Sequence, residues 1–398
     1  MRRLAWMLLL LFAFAIPWEY SLDLGAPWGN IARLAGLALL AVMLPAVLQT
    51  GRIRPPAPFH IAVLLWLLWL CCSALWSIVA STTVAHLPGY FEEAMIAWFL
   101  WELVESDADL ASVLRAYVAG AAVLAFLTLA SFLWPQSPDL VRFVPAGQDP
   151  NDVARYLVLG LPLAAWLLNE AEARWQRVAL GSLMALTTVA VLLTASRGGF
   201  LACAISLIGC GVVLWRRHLR IVLAGLLMAP AAVLAVWLAA PHDTLLRLAG
   251  IPAQLMAGDL NQRWEIWTAG WRAFARAPLL GSGAGSFVWA ARLAPSDTAH
   301  NTALAIAAEG GLIALTLVFT ILVLCFAALR RARLPLRLSL GTALAAWMSL
   351  SLVSTLQENR TTWLLLGLIV VAGRLGRPSA VVLAGERVGR ILPEPAEG

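Results

Sequence analysis

The stretch TALAIAAEGGLIALTLVFTILVLCFAAL, residues 302–329, runs straight into RRARLPLR, residues 330–337. It carries one charged side chain, Glu309, and exceeds the roughly 20 apolar residues that a helix needs to cross the hydrocarbon of a bilayer. A cluster of arginines directly after such a run marks a turn held in the cytoplasm. Residues 302–329 are therefore read as a membrane span leading inward, and the rest of the chain is read by the same rule.

The composition agrees with that reading. Of 398 residues, 61% are hydrophobic and 13% charged, with a mean hydropathy of +0.83. A soluble domain carries about a quarter charged residues, so the fold class is all-α and polytopic. Apolar runs fall at 4–17, 31–48, 59–79, 89–104, 110–134, 153–168, 178–195, 198–215, 221–239, 302–329, 336–355 and 362–372, which predicts about 12 transmembrane helices. The weakest run is 89–104, which contains Glu92 and Glu93 and has a re-entrant or interfacial segment as its alternative. The first run follows Met1-Arg2-Arg3 without a small-x-small cleavage pattern and is expected to be retained as a span. Four regions follow: helices 1–9 over 1–240, a large periplasmic loop region over 241–300, helices 10–12 over 301–375, and a cytoplasmic tail over 376–398.

All 28 basic residues are arginine. Most sit in the turns around 52–54, 174–177, 216–220, 330–337 and 374–377, on one side if the N-terminus is inside. That side is the cytoplasm, with both termini there. The net charge of +6 follows from topology and needs no nucleic acid. The acidic turn ELVESDADLAS is tolerable on the same side, because carboxylates count little in that rule. Cys71, Cys72, Cys203, Cys210 and Cys325 lie within apolar runs without metal-ligand spacing and read as small core residues.

The opposite side receives RFVPAGQDPNDVARY, TASRGG, the segment from about 241 to 300, and STLQENRTT. Within the long segment, NQRWEIWTAGWRAFARAPLLGSGAGSF spaces Trp264, Trp267, Trp271 and Phe274 as an amphipathic helix near the membrane surface. Arg197, in a hairpin where topology does not ask for a cation, is a ligand-binding group or else an arginine snorkelling to headgroups. The glycines beside it are expected to let backbone and ligand approach closely. Arg263 carries the same two readings. His300, at the mouth of the 302–329 span, has an ordinary pKa of about 6.5 and suits a general base; the alternative is a helix start whose free amides are satisfied by the His-Asn pair. Asn301 caps the helix or orients a ligand hydroxyl. Glu309 orients a polar partner or pairs with another helix. Asp149 and Asp152 are too turn-like to identify a metal site, and Asp152 is a candidate helix cap. Two arginines and a histidine on one face suit a pyrophosphate group held by guanidinium forks beside an activated hydroxyl.

In order, PNDVARYLVLGLPLA, TASRGGFLA, RWEIWTAGWRAFARAPLLGSGAGSF and HNTALAIAAEGGLIAL resemble the O-antigen ligase and polymerase superfamily of bacterial inner-membrane glycosyltransferases. The resemblance runs from about residue 150 to 315. It implies transfer of a glycan from undecaprenyl diphosphate to a hydroxyl at the periplasmic face, inverting, without metal or other cofactor. The acceptor would be lipid A-core in a ligase and another lipid-linked repeat in a polymerase. Arg197, Arg263 and His300 match the family's catalytic positions. Asn151, Asn301, Glu309 and Arg360 are expected to bind substrate, with Glu358 a candidate to orient Arg263 or His300. The partners implied are the lipid-linked glycan, lipid A-core, membrane lipids and glycan-assembly proteins. One departure is that only 37 positions separate Arg263 from His300, leaving little room for a longer acceptor-facing insertion. The rival classes are a transporter, which should show polar groups or broken helices within its spans, a metal-dependent transferase, and a non-catalytic assembly protein.

Overall fold

A computed structural model describes residues 1–22, 24–25, 29–51, 53–135, 137, 140–215, 217–223, 225 and 263–376. Among these the chain is helical and contains no strand. The helices are α1 (Arg2–Ala15), continued by a 3₁₀ turn over Ile16–Ser21, α2 (Ile31–Thr50), α3 (Pro58–Ser73), α4 (Ala80–Leu103), α5 (Asp107–Leu133), α6 (Pro150–Glu170), α7 (Arg174–Leu193) and α8 (Arg197–Leu214). After the undescribed segment come α9 (Arg263–Arg276), α10 (Phe287–Ala291), α11 (Thr302–Leu329), α12 (Leu334–Ser351) and α13 (Arg360–Leu375). Six described helices are long and apolar enough to cross a membrane: α1 with its 3₁₀ extension, α2, α5, α7, α8 and α11. The expected span at 221–239 and the tail at 376–398 lie almost wholly outside the described residues.

Two of the remaining helices, α6 and α13, lie buried among the others. In α6 every residue from Val153 to Asn169 is buried, and in α13 every residue from Thr361 to Gly373. A helix apolar on all sides belongs in the middle of a bundle. By contrast, α3 turns Leu64, Leu65 and Leu68 outward, and Phe319 and Ile208 stand out from α11 and α8. Such outward leucines suit hydrocarbon rather than water.

Small residues bring the central helices together. A Cβ at Gly199 would overlap Ala154 of α6, and one at Gly209 would overlap Thr342 of α12. Gly199 of the SRGG element thus serves close helix packing. Pro162 inside α6 has no N–H for the Val158 carbonyl one turn earlier. Ser206 of α8 donates to that carbonyl instead, at 3.3 Å.

The two ends of the bundle differ in charge. At one end Glu105 pairs with Arg2 and, at 3.5 Å, with Arg54, while Asp107 pairs with Arg333. The Arg374 side chain donates to the Trp101 carbonyl at 2.7 Å. The acidic turn therefore shares its end with the basic turns and neutralises part of them. Helix α4 begins nine residues before the run read from sequence and is continuous over 24 residues. Its Glu92 faces Arg33 at 3.2 Å and Arg360 at 3.8 Å, and its Glu93 is buried.

Helix α11 is broken at Gly311 (φ 68°, ψ −166°), a conformation open to glycine and hardly to any other residue. The break frees backbone groups, and the loop between α9 and α10 takes them up. Ser282 N–H donates to the Ala308 carbonyl at 3.0 Å, Gly283 N–H to Glu309 at 2.8 Å, and Leu312 N–H to Pro278 at 2.8 Å. Trp69 Nε1 donates to the Gly310 carbonyl at 2.8 Å. A broken helix was the mark expected of a transporter. Here the groups freed by the break are bonded within the protein rather than turned to a cavity.

Candidate functional site

The end opposite the basic turns assembles four segments. Asp149 caps α6, its carboxylate accepting from Asn151 N–H at 2.7 Å. Ser196 caps α8, its hydroxyl accepting from Gly199 N–H at 3.2 Å. Asn301 caps α11, accepting from Leu304 N–H at 2.9 Å. Each cap satisfies an amide that its helix start would otherwise leave open. Each also fixes the side chain beside it, so that Arg197 follows one cap and His300 precedes another. Asp152, read as a possible cap, instead pairs with the buried Arg155 at 2.9 Å.

Asn151 joins two of these segments. Its Oδ1 accepts from Ser196 Oγ at 2.8 Å and from Arg142 Nη2 at 3.1 Å. Arg142 also donates through Nε to the Thr194 carbonyl at 3.1 Å. Arg142 was not assigned a role from sequence, although it opens the quoted RFVPAGQDPNDVARY run. The argument applied to Arg197, a cation where topology asks for none, would have found it.

Arg263 is the first described residue of α9, whose buried face is formed by Gly270 and Ala273 with Ile266, Ala269 and Phe274 packed alongside. Trp267 faces inward as well, and its Nε1 donates to the Ala299 carbonyl at 3.1 Å. Trp264 and Trp271 are exposed, as are Leu279, Leu280 and Trp289 in the segment that follows. The helix expected here is present and amphipathic, with its aromatic residues divided between core and surface.

Arg197, Arg263, His300 and Asp149 are close enough to act on one another. Burial, and then the neighbouring Arg197 guanidinium, lowers the proton affinity of Arg263, with Asp149 opposing. Burial, and then Arg263, holds the His300 imidazole below its ordinary value, with Asp149 and Asp297 opposing. The imidazole is thereby kept neutral near pH 7 and able to accept a proton. His300 Nδ1 is 3.2 Å from Thr298 Oγ1. Backbone strain marks the same place: Ala195 (φ 49°), just before the Ser196 cap, and His300 (φ 46°) both lie in the left-handed region.

The other site residues expected from sequence fall elsewhere. Glu309 is buried, accepts from Phe287 N–H at 3.2 Å and ties α10 to the break in α11. Arg360 pairs with the buried Glu19 at 2.5 Å, joined there by Tyr156 OH, which donates to Glu19 at 3.0 Å. Glu358 orients neither Arg263 nor His300. It accepts from Tyr90 OH at 2.8 Å and lies 2.7 Å from His86 Nδ1. Asn301 also donates through Nδ2 to the Leu352 carbonyl at 3.3 Å, so its amide is engaged in structure at both ends.

An apolar cleft of about 590 Å³ opens beside this cap, between α11 and α12, lined by Thr302, Ile306, Phe319, Leu322, Trp347 and Leu352 among others. Fold and site together define a multi-pass helical membrane protein with a cationic, histidine-bearing cluster at one end. Residues 182–319 match the family model described as O-antigen ligase, the superfamily that the chain's motifs resemble. The matched segment contains Arg197, Arg263, His300, Asn301 and Glu309, while Asn151 and Arg360 lie outside it. No curated protein matches the chain.

Proposed function

We propose that the protein transfers a glycan from a polyprenyl-diphosphate carrier, undecaprenyl diphosphate, to a hydroxyl of lipid A-core at the periplasmic face of a bacterial inner membrane. The observation that carries this reading is the convergence of Arg197, Arg263 and a neutral His300 from three separate segments. The two guanidinium groups repel one another, and a bound diphosphate relieves that repulsion. As the glycosidic bond to the carrier breaks, negative charge grows on the diphosphate, and the arginines stabilise it. His300 accepts the proton of the attacking acceptor hydroxyl. Attack from the face opposite the departing diphosphate inverts the anomeric centre. Asn151 and Arg142 brace the Ser196 cap and, through it, Arg197. The apolar cleft beside Thr302 suits the polyprenyl chain or an acyl chain of the acceptor.

Extension of one lipid-linked repeat by another is the second reading. It is favoured by the short path from Arg263 to His300, which is taken up by α9, the glycine-rich loop and α10. The deciding experiment reconstitutes the purified protein with undecaprenyl-diphosphate glycan, with lipid A-core in one reaction and donor alone in another. Each is run with and without EDTA, and with His300→Ala. Product on lipid A-core that survives EDTA and disappears in the variant supports a metal-independent ligase. Chain growth from donor alone supports a polymerase, and full activity of His300→Ala rejects the assignment of the base.

A further inference from the structure

A second polar cluster at the same end of the bundle has no part in the chemistry above. On α4, Thr83, His86 and Tyr90 recur at helical spacing and face one side. His86 Nδ1 lies 2.7 Å from Glu358 Oε2, and Tyr90 OH donates to Glu358 Oε1 at 2.8 Å. One carboxylate thus fixes both rings. The glycine-rich loop supports them from the other side: a Cβ at Gly285 (φ +70°) would overlap the His86 ring, and Thr83 Oγ1 donates to the Ala284 carbonyl at 2.8 Å. Ala284 N–H in turn donates to Ser73 Oγ at 3.1 Å. The His86 ring is thus held at Nδ1 by Glu358 and along its other edge by the Gly285 backbone. The side chains of His86 and Glu358 are 39% and 30% exposed, so both reach the surface.

We infer that His86 and Glu358 form a subsite for a neutral polyhydroxylated ligand, the sugar of the acceptor. Charge divides the end of the bundle. Beside His300 stands Arg263, with Arg197 next to that, and the two guanidinium groups suit a diphosphate. Around His86 stand Glu358 and, within electrostatic range, Glu309. His86 is paired with a carboxylate, so this cluster offers an anion no unpaired cation, and its partly exposed imidazole and carboxylate offer a donor and an acceptor to adjacent hydroxyls.

The two halves are joined by one short segment. Thr302, two residues from His300, donates through Oγ1 to the Ser354 carbonyl at 2.8 Å and accepts from Leu356 N–H at 3.0 Å. Ser354 and Glu358 are four residues apart and can be separated by no more than ~14 Å. A short oligosaccharide can therefore touch the His86 subsite while one of its hydroxyls lies at His300. This inference rests on the transferase reading.

The test uses the full-length protein in nanodiscs, with delipidated core oligosaccharide as the binding probe and lipid A-core as the kinetic acceptor. His86→Gln and Glu358→Gln should raise the acceptor KM about tenfold or more, leave the donor KM within about twofold, and weaken oligosaccharide binding by a similar factor. Tyr90→Phe, which removes only the hydroxyl behind Glu358, should give a smaller rise of the same kind. Arg263→Gln should show the opposite pattern, with the donor affected. An unchanged acceptor KM, donor and acceptor KM rising together, or equal binding of the oligosaccharide by wild type and His86→Gln would overturn the subsite. If wild type transfers nothing, the transferase reading fails. The binding comparison then decides the subsite alone, and absence of oligosaccharide binding to wild type rejects it.

Discussion

Gly311→Ala tests the join between the glycine-rich loop and the broken span. At φ 68°, ψ −166° an alanine is strained by about 1–3 kcal/mol before any contact is considered. Its Cβ would also overlap the Leu279 carbonyl, so the loop must move away from α11. That movement endangers the three backbone hydrogen bonds from Ser282, Gly283 and Leu312, each worth about 1 kcal/mol net. The expected loss is about 3–6 kcal/mol, read as reduced resistance to denaturant in mixed micelles. Function should fall with it, because the loop holds α9, and α9 carries Arg263. Gly211→Ala is the control: a Cβ there meets nothing within 4 Å, so the helix should gain about 0.5–1 kcal/mol. If Gly311→Ala unfolds within about 0.5 kcal/mol of wild type and keeps full transfer, the loop does not secure the break and the account of α9 is wrong.

Because His300 has its pKa below the ordinary imidazole value, its base form persists at pH 6.5 and is lost only on further acidification. In a profile of kcat/KM against pH, the acid limb should move up in Arg263→Gln and down in Asp149→Asn. Asn151→Ala removes the acceptor for Ser196 Oγ and Arg142; a loss of ~1.5–3 kcal/mol in positioning Arg197 corresponds to a fall of about 10- to 100-fold in kcat/KM, with folding retained. Arg360→Ala leaves Glu19, 1% exposed, without its cation and should cost about 3–5 kcal/mol in unfolding assays. The double change Glu19→Leu with Arg360→Met should recover most of that loss.

Periodicity and composition reveal spans because an apolar run of the right length has few other uses. They therefore locate α2, α5 and α11 to within a few residues. They miss the start of α4, since its first turns carry Ser81, Thr82 and His86 and lack the apolar run that marks a span. The break in α11 was visible only as Gly310-Gly311, a pair that serves packing as readily as a kink. What distinguishes the two is the loop at 278–285, distant in sequence from the break it fills. The site divides in the same way. Arg197, Arg263 and His300 were legible because each is a polar group where topology asks for none, and the structure brings them together. Arg360 and Glu309 satisfied the same criterion, yet their partners are Glu19 and the Phe287 amide. An unexpected charge signals a partner, and sequence alone does not say whether that partner is substrate or protein.

The pair of Glu19 and Arg360 joins residues 341 positions apart. A ribosome makes the carboxylate 341 residues before the guanidinium, so α1 with its 3₁₀ turn must wait in the membrane with an acidic group that has only the Tyr156 hydroxyl until α13 follows. The bundle can close around its centre only once α13 has been delivered. A chain released early keeps that carboxylate exposed to lipid or to other proteins, a chemical mark by which an unfinished molecule differs from a finished one.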